Sequence, residues 1–211
     1  MEKEKALTQD VVMKAMDWAY DKAVNGIPGL DSAEDMASDY LRGEGTLRDK
    51  ANSLIRWQNT KAGAVGFVSG LGGLLAMPVA LPANITTVLY VQIRMIAAIA
   101  KMGGWDLKED KVKSLVYCCL VGTSALDVAK QAGIAIGEKV AINVIKKMPI
   151  DVVRQINQKV GFKLLTKFGE KGIVNFGKAI PLVGGVIGAA IDSVSTNTIG
   201  NVARDTFLPE E

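Results

Sequence analysis

Four polar side chains stand in stretches otherwise almost wholly apolar: Asn84, Gln92 and Arg94 in one, Asp192 in another. An unpaired polar or charged group in such surroundings is costly and normally finds a partner. On a helix, Asn84, Thr87 and Arg94 share one broad face, Tyr90 lies four residues before Arg94, and Gln92 turns away. Asp192 is the natural counter-ion for Arg94. The chemistry open to this set is binding: a polar site for a headgroup or small ligand, or a structural ion pair that fixes helix docking. A second set, Lys159, Lys163, Lys167 and Lys171, recurs every four residues beside an apolar line of Val153, Ile156, Val160, Leu164 and Phe168. Like charges at that spacing repel along a helix. The stripe is therefore either a solvated lysine face or a contact for an anionic surface.

Other chemistry is excluded or poorly supported. The chain has no histidine, which removes His-based acid–base catalysis, Ser-His and Cys-His nucleophile pairs and nearly all familiar zinc enzymes. Cys118 and Cys119 are adjacent in an apolar run, where disulfide geometry is hard to reach and packing is the simpler role. Gly172 to Ala179 has the G-x-x-x-x-G-K core of a phosphate loop, but Ala179 stands where Ser or Thr should hold magnesium and no strand precedes it. No catalytic residue, metal site or cofactor is expected. A nucleic-acid contact is not expected either, because arginine is scarce along the lysine stripe and only Phe162, Phe168 and Phe176 could stack on bases.

The elements that must position these groups are helical. Ala62 to Ile93 is thirty-two residues without Asp, Glu, Lys or Arg. Pro78 and Pro82 divide it, because each lacks an N–H and clashes with the preceding turn. The expected object is an apolar helical hairpin over 62–100. Gly63, Gly66, Gly70 and Gly73 share one face of its first leg and ask for close approach by another helix, whether in a membrane or in a tight soluble core. Each leg falls short of a ~30 Å hydrocarbon core, so a re-entrant or shallow hairpin fits better than two full spans. A last apolar helix, Pro181 to Phe207, carries Gly184, Gly188, Asp192, Thr196 and Gly200 at four-residue spacing, a second face of small or polar groups.

Before the hairpin, Thr8 to Asn25 shows a helical period ending at Asn25-Gly26, and Asp31 to Glu34 has the form of a capping box opening a short acidic helix. Ser114 to Leu126 suits a buried helix, and Gly133 to Lys147 an amphipathic one. No strand pattern is present, so the fold class is all-α: a multi-helix bundle built around the glycine-rich apolar hairpin and the C-terminal apolar helix. Residues 1–45 read as an acidic helical extension and 46–211 as the main domain.

Charge is divided along the chain. Residues 1–50 hold seven Lys/Arg against eleven Asp/Glu, whereas the basic segment 139–178 holds nine Lys/Arg against Asp151 and Glu170. Such asymmetry suggests that the basic part faces an anionic partner. The start, MEKEKALTQD, lacks the basic-then-apolar order of a secretory signal, which places the protein in the cytoplasm as an expectation.

Several blocks carry a family resemblance. They are Lys61 to Gly63 through Gly70 to Gly73, the Pro78 to Asn84 corner, Gln92 to Ala100, and Ile180 to Gly185 followed by Asp192, Asn201 and Phe207. Over residues 45 to 207 the chain resembles the bacterial EcsC family. The resemblance implies a helical, membrane-associated protein on the cytoplasmic face, with an ABC transporter as one conceivable partner, and carries over no catalytic residue. The resulting expectation is a non-enzymatic, lipid-interacting or transporter-accessory factor. The competing expectation is a membrane-perturbing effector that shelters its hairpin until triggered, with an enzyme a distant third.

Overall fold

The computed structural model describes residues 8–62, 83–122, 148–168 and 185–209, and gives only the backbone of 61, 62, 83–86, 167, 168 and 185–195. These residues form seven helices and no strand: α1 (Gln9–Asn25), α2 (Ala33–Leu41), α3 (Leu47–Ala62), α4 (Ala83–Met102), α5 (Asp110–Leu120), α6 (Ile150–Phe168) and α7 (Gly185–Phe207). The first hairpin leg beyond Ala62, its glycine face, the Pro78–Pro82 corner and the helix expected over 133–147 lie outside the described residues.

Local sequence sets the helix ends. Thr8 caps α1, its Oγ1 accepting from the Val11 N–H, and Gly26 stops it at φ +82°, a conformation costly to any residue with a Cβ. The capping box of α2 sits one residue later than its Asp31/Glu34 pattern suggests. Ser32 Oγ accepts from the Asp35 N–H at 3.1 Å, and Asp35 Oδ2 accepts from the Ser32 N–H at 3.1 Å. Both registers offer an oxygen and a carboxylate three residues apart, but a serine hydroxyl can also donate to that carboxylate, at 2.7 Å. Thr46 and Asp49 repeat the arrangement at the start of α3. In both boxes the hydrogen bonds from the cap residue hold the carboxyl below its usual pKa.

α4 is the hub of the bundle: α1, α2, α3, α5 and α7 all pack on it. Every residue from Leu89 to Ala100 is buried. A helix that is apolar around most of its circumference, Gln92 and Arg94 excepted, must be enclosed on all sides, and here the enclosure comes from protein. Burying Ile93, Ile96 and Ile99 fully stabilises the fold by about 1.5–3 kcal/mol each relative to exposure. The helix ends in a Schellman motif, with Trp105 N donating to Ala100 O at 3.1 Å and Gly104 N to Lys101 O at 2.9 Å. Gly104 takes φ +79°.

The acidic lead helices share this core. Val12, Ala15, Met16, Ala19 and Ala23 of α1, and Ala33, Met36 and Ala37 of α2, belong to the same buried cluster as α4. Tyr20 Oη donates to Leu107 O at 2.8 Å and Tyr117 Oη to Asp17 Oδ1 at 2.8 Å, and the two rings meet edge to face. Lys113 completes the cluster, 2.6 Å from Asp17 and above both rings.

α5 is buried from Ser114 to Leu120 and stops there, short of the Leu126 its composition allows, because Gly122 turns the chain at φ +69°. Cys118 and Cys119 are free and buried. Burial, the dominant cause, raises both thiols, Cys119 to about 12. Neither is a ready nucleophile, because the thiolate is the reactive form.

α7 packs along α3 and α4. Gly200 lets α3 approach closely: a Cβ there would lie 2.7 Å from Ile55 Cγ1. Toward its end, Arg204 reaches Asn52 Oδ1 at 2.6 Å and Asn201 Oδ1 at 3.1 Å, while Asp205 accepts from both Arg204 and Arg48. Partial burial pushes the Asp205 carboxyl up, but the two guanidinium groups outweigh it and hold its pKa low. No described helix is long and apolar enough to cross a membrane.

Candidate functional site

Two groups of predicted residues can be placed. The first surrounds α4. Gln92 and Arg94 are both buried, at 5% exposure each, yet two residues apart on a helix they point to nearly opposite sides. Gln92 faces α7, its Nε2 lying 3.4 Å from Thr196 Oγ1. Arg94 faces α2, where its Nη1 donates to the Asp31 carbonyl at 3.1 Å. The structure therefore does not bring these two together. Asn84 is on α4 and Asp192 on α7, but their side chains lie outside the described residues.

Tyr90 was the neighbour to watch. The Arg94 guanidinium stands over its ring, 5.4 Å from the centroid. Burial raises the Tyr90 pKa, the nearby guanidinium opposes that shift, and the Asp31 carboxylate adds to it. The phenol and the guanidinium touch without the alignment of a hydrogen bond, since Tyr90 Oη and Arg94 Nε are both buried with no partner. A guanidinium cannot shed its charge by deprotonation, and among the described residues no carboxylate forms an ion pair with this one. Tyr90 is the neighbour that the four-residue spacing supplies, whereas Asp31 is the member that spacing could not supply. Asp31 comes from a different helix start, sixty-three residues away.

The second group lies on α6. Val153, Ile156, Val160 and Leu164 are buried, as their spacing predicts, and pack toward α1 and α5. Gly161 lets α1 approach: a Cβ there would meet Met13 Sδ at 2.8 Å. Lys159 and Lys163 are exposed. The side chain of Lys167 and all of Lys171 lie outside the described residues. Between the two placed lysines in sequence, and diametrically opposite the buried line, stands Phe162, 59% exposed. An aromatic ring in water, flanked by a lysine on either side in sequence, is the unexplained feature of this face.

The arrangement on α4 can bind: it holds a fixed cation beside a phenol whose pKa is raised, with the Asp31 carboxylate near enough to act on that phenol. The α6 face can contact a surface that is both anionic and able to take an apolar ring.

Compared with known families, the chain matches the EcsC protein family over residues 4–208. The match takes in the acidic lead helices as well as residues 46–208. No curated protein matches the chain, and no solved structure does.

Proposed function

The chain belongs to the EcsC protein family, and on that premise we propose that it is a non-enzymatic protein that docks on an anionic membrane surface through the outward face of α6. The observation that carries this reading is Phe162, more than half exposed between Lys159 and Lys163 in sequence. A solvent-facing phenylalanine gains about 1.5–3 kcal/mol on burial, and each lysine near an anionic leaflet adds about 1 kcal/mol. The four-residue lysine spacing, unfavourable in water, becomes favourable there. On such a surface the protein would serve as a lipid-interacting or transporter-accessory factor. The absence of histidine and the buried, protonated thiols support a non-catalytic role.

Co-sedimentation tests it. The full chain should pellet with phosphatidylglycerol vesicles at low salt, much less with phosphatidylcholine, and should be released by high salt. Phe162→Ala and the double charge reversal Lys159→Glu, Lys163→Glu should each weaken binding while leaving the helical circular dichroism unchanged. Equal binding by the variants and the unaltered chain would sink the reading.

A second reading, the membrane-perturbing effector, draws on the burial of Leu89 to Ala100, which would shelter the second hairpin leg until a trigger released it. Dye leakage from the same vesicles would favour it.

A further inference from the structure

Arg94 places a permanent positive charge inside the bundle and leaves it under-served. Its hydrogen bond among the described residues is to a neutral carbonyl, that of Asp31. Among the described residues its Nε–H has no acceptor of hydrogen-bond geometry, and the Tyr90 hydroxyl touches the guanidinium without an aligned partner. Charged groups this deeply buried are ordinarily matched by an opposite charge, because leaving one unmatched costs several kcal/mol.

The surroundings carry both signs: the guanidinium and the helix start are positive, while the Asp31, Glu34 and Asp35 carboxylates stand at the same turn and the Ser32–Asp35 box already engages two of its N–H groups. The guanidinium meets the chain where α2 begins, one residue before the Ser32 cap, and helix starts carry partial positive charge. α2 is nine residues long. With Nη1 engaged by the carbonyl, Nε remains free, the nitrogen through which a guanidinium grips an oxyanion side-on. The Tyr90 hydroxyl supplies another unpaired donor beside it. Asp31 itself is exposed, so the site lies near the surface at this end. We infer that Arg94, Tyr90 and the start of α2 form a binding site for an oxyanion group, a carboxylate or a phosphate. This inference does not depend on the α6 face.

The test uses the purified full chain, titrated with sodium phosphate and separately with sodium acetate at constant ionic strength. The readouts are the thermal midpoint and the Arg94 Nε–H resonance. A saturable rise in midpoint with at least one anion, accompanied by a shift of that resonance, is expected. Tyr90→Phe deletes a hydroxyl that has no partner, so the midpoint without ligand should stay level or rise, while oxyanion affinity should fall about ten-fold. Arg94→Met should abolish the response. A parallel titration with dihexanoyl phosphatidic acid below its micellar concentration separates the sources: affinity equal to that for inorganic phosphate indicates a free anion, and much tighter binding indicates a lipid headgroup. No saturable response to any of the three probes would overturn the inference, as would unchanged affinity in Tyr90→Phe. So would Asp31→Asn or Asp192→Asn destabilising the chain as much as Arg94→Met, because that carboxylate would then be the anion Arg94 serves. Vesicle binding through α6 should be the same in the unaltered chain and Tyr90→Phe, so failure of one idea leaves the other standing.

Discussion

Gly103→Ala should destabilise the protein far more than an added methyl group suggests. The new Cβ would sit 2.3 Å from the Phe207 carbonyl oxygen, 3.1 Å from Trp105 Cδ1 and 3.2 Å from Leu208 Cδ2. The first neighbour is backbone and cannot rotate away, so the end of α7 must retreat by about 1 Å to reach ordinary contact. That same carbonyl accepts the Trp105 indole N–H at 2.9 Å, and a retreat of this size takes the pair beyond hydrogen-bond range. Trp105 is buried. An indole N–H left unsatisfied there costs about 1–3 kcal/mol, and the overpacking a further 1–3 kcal/mol or so. The sum, roughly 2–6 kcal/mol, corresponds to a midpoint lowered by roughly 4–24 °C in a domain of this size. Urea denaturation gives the free energy, and near-ultraviolet circular dichroism reports on Trp105, which stacks edge to face on Phe207. Gly104→Ala is the control: nothing lies within 4 Å of its Cβ, so its cost comes from φ +79° alone and should be about 1 kcal/mol. A Gly103→Ala penalty below about 0.5 kcal/mol, with an unchanged tryptophan signal, would refute the reasoning.

Other outcomes follow from the same geometry. Asp17→Ala strips the partner from the buried Tyr117 hydroxyl and from Lys113; a loss of about 1–3 kcal/mol is expected, and adding Tyr117→Phe should recover part of it in a double-mutant cycle. Gly200→Ala drives a Cβ into Ile55 and should cost about 1–3 kcal/mol, measurable by urea unfolding, with Ile55→Val in the same chain restoring some of it. Asp35 and Asp49 have folded pKa values below their ordinary one, so their contribution is present above the unfolded carboxylate range near pH 4 and is lost as pH falls through the lower folded values. Acid unfolding curves of Ser32→Ala and Thr46→Ala should show a shallower loss over that interval than the unaltered chain. Cys118 and Cys119, buried and protonated, should react with a thiol probe only at the rate of unfolding; rapid labelling of the folded protein would contradict their placement.

Helix positions were legible in the sequence where one strong local signal acted alone. Thr8 at the start of a 3.6-residue period and Asn25-Gly26 at its close mark real ends, because caps and positive φ are decided within a few residues. The α2 cap slipped by one because Asp31/Glu34 and Ser32/Asp35 carry the same pattern, and only hydroxyl geometry separates them. Val153, Ile156, Val160 and Leu164 of the apolar line of α6 were read correctly from their spacing, the Phe168 side chain lying outside the described residues, and so was the packing of the two cysteines. What spacing could not give was the surroundings of α4. A helix this apolar, with Arg94 its one charge before Lys101, looks the same whether lipid or protein encloses it, and the enclosing residues of α1, α2 and α7 come from distant parts of the chain. Arg94 illustrates the limit: its burial was foreseeable, whereas its Asp31 contact depends on how α2 crosses α4.

The central place of α4 also has a consequence in time. Trp105, just past the end of α4, waits for a carbonyl 102 residues further along the chain, and at cellular synthesis rates that interval is roughly 5–20 s. Throughout it, the side of α4 that α7 will cover, and the indole awaiting its acceptor, are open to whatever else is near the ribosome. Pausing translation just before α7 should therefore yield a nascent chain that binds chaperones and is readily cut by protease, whereas release after Phe207 should close the core and end both.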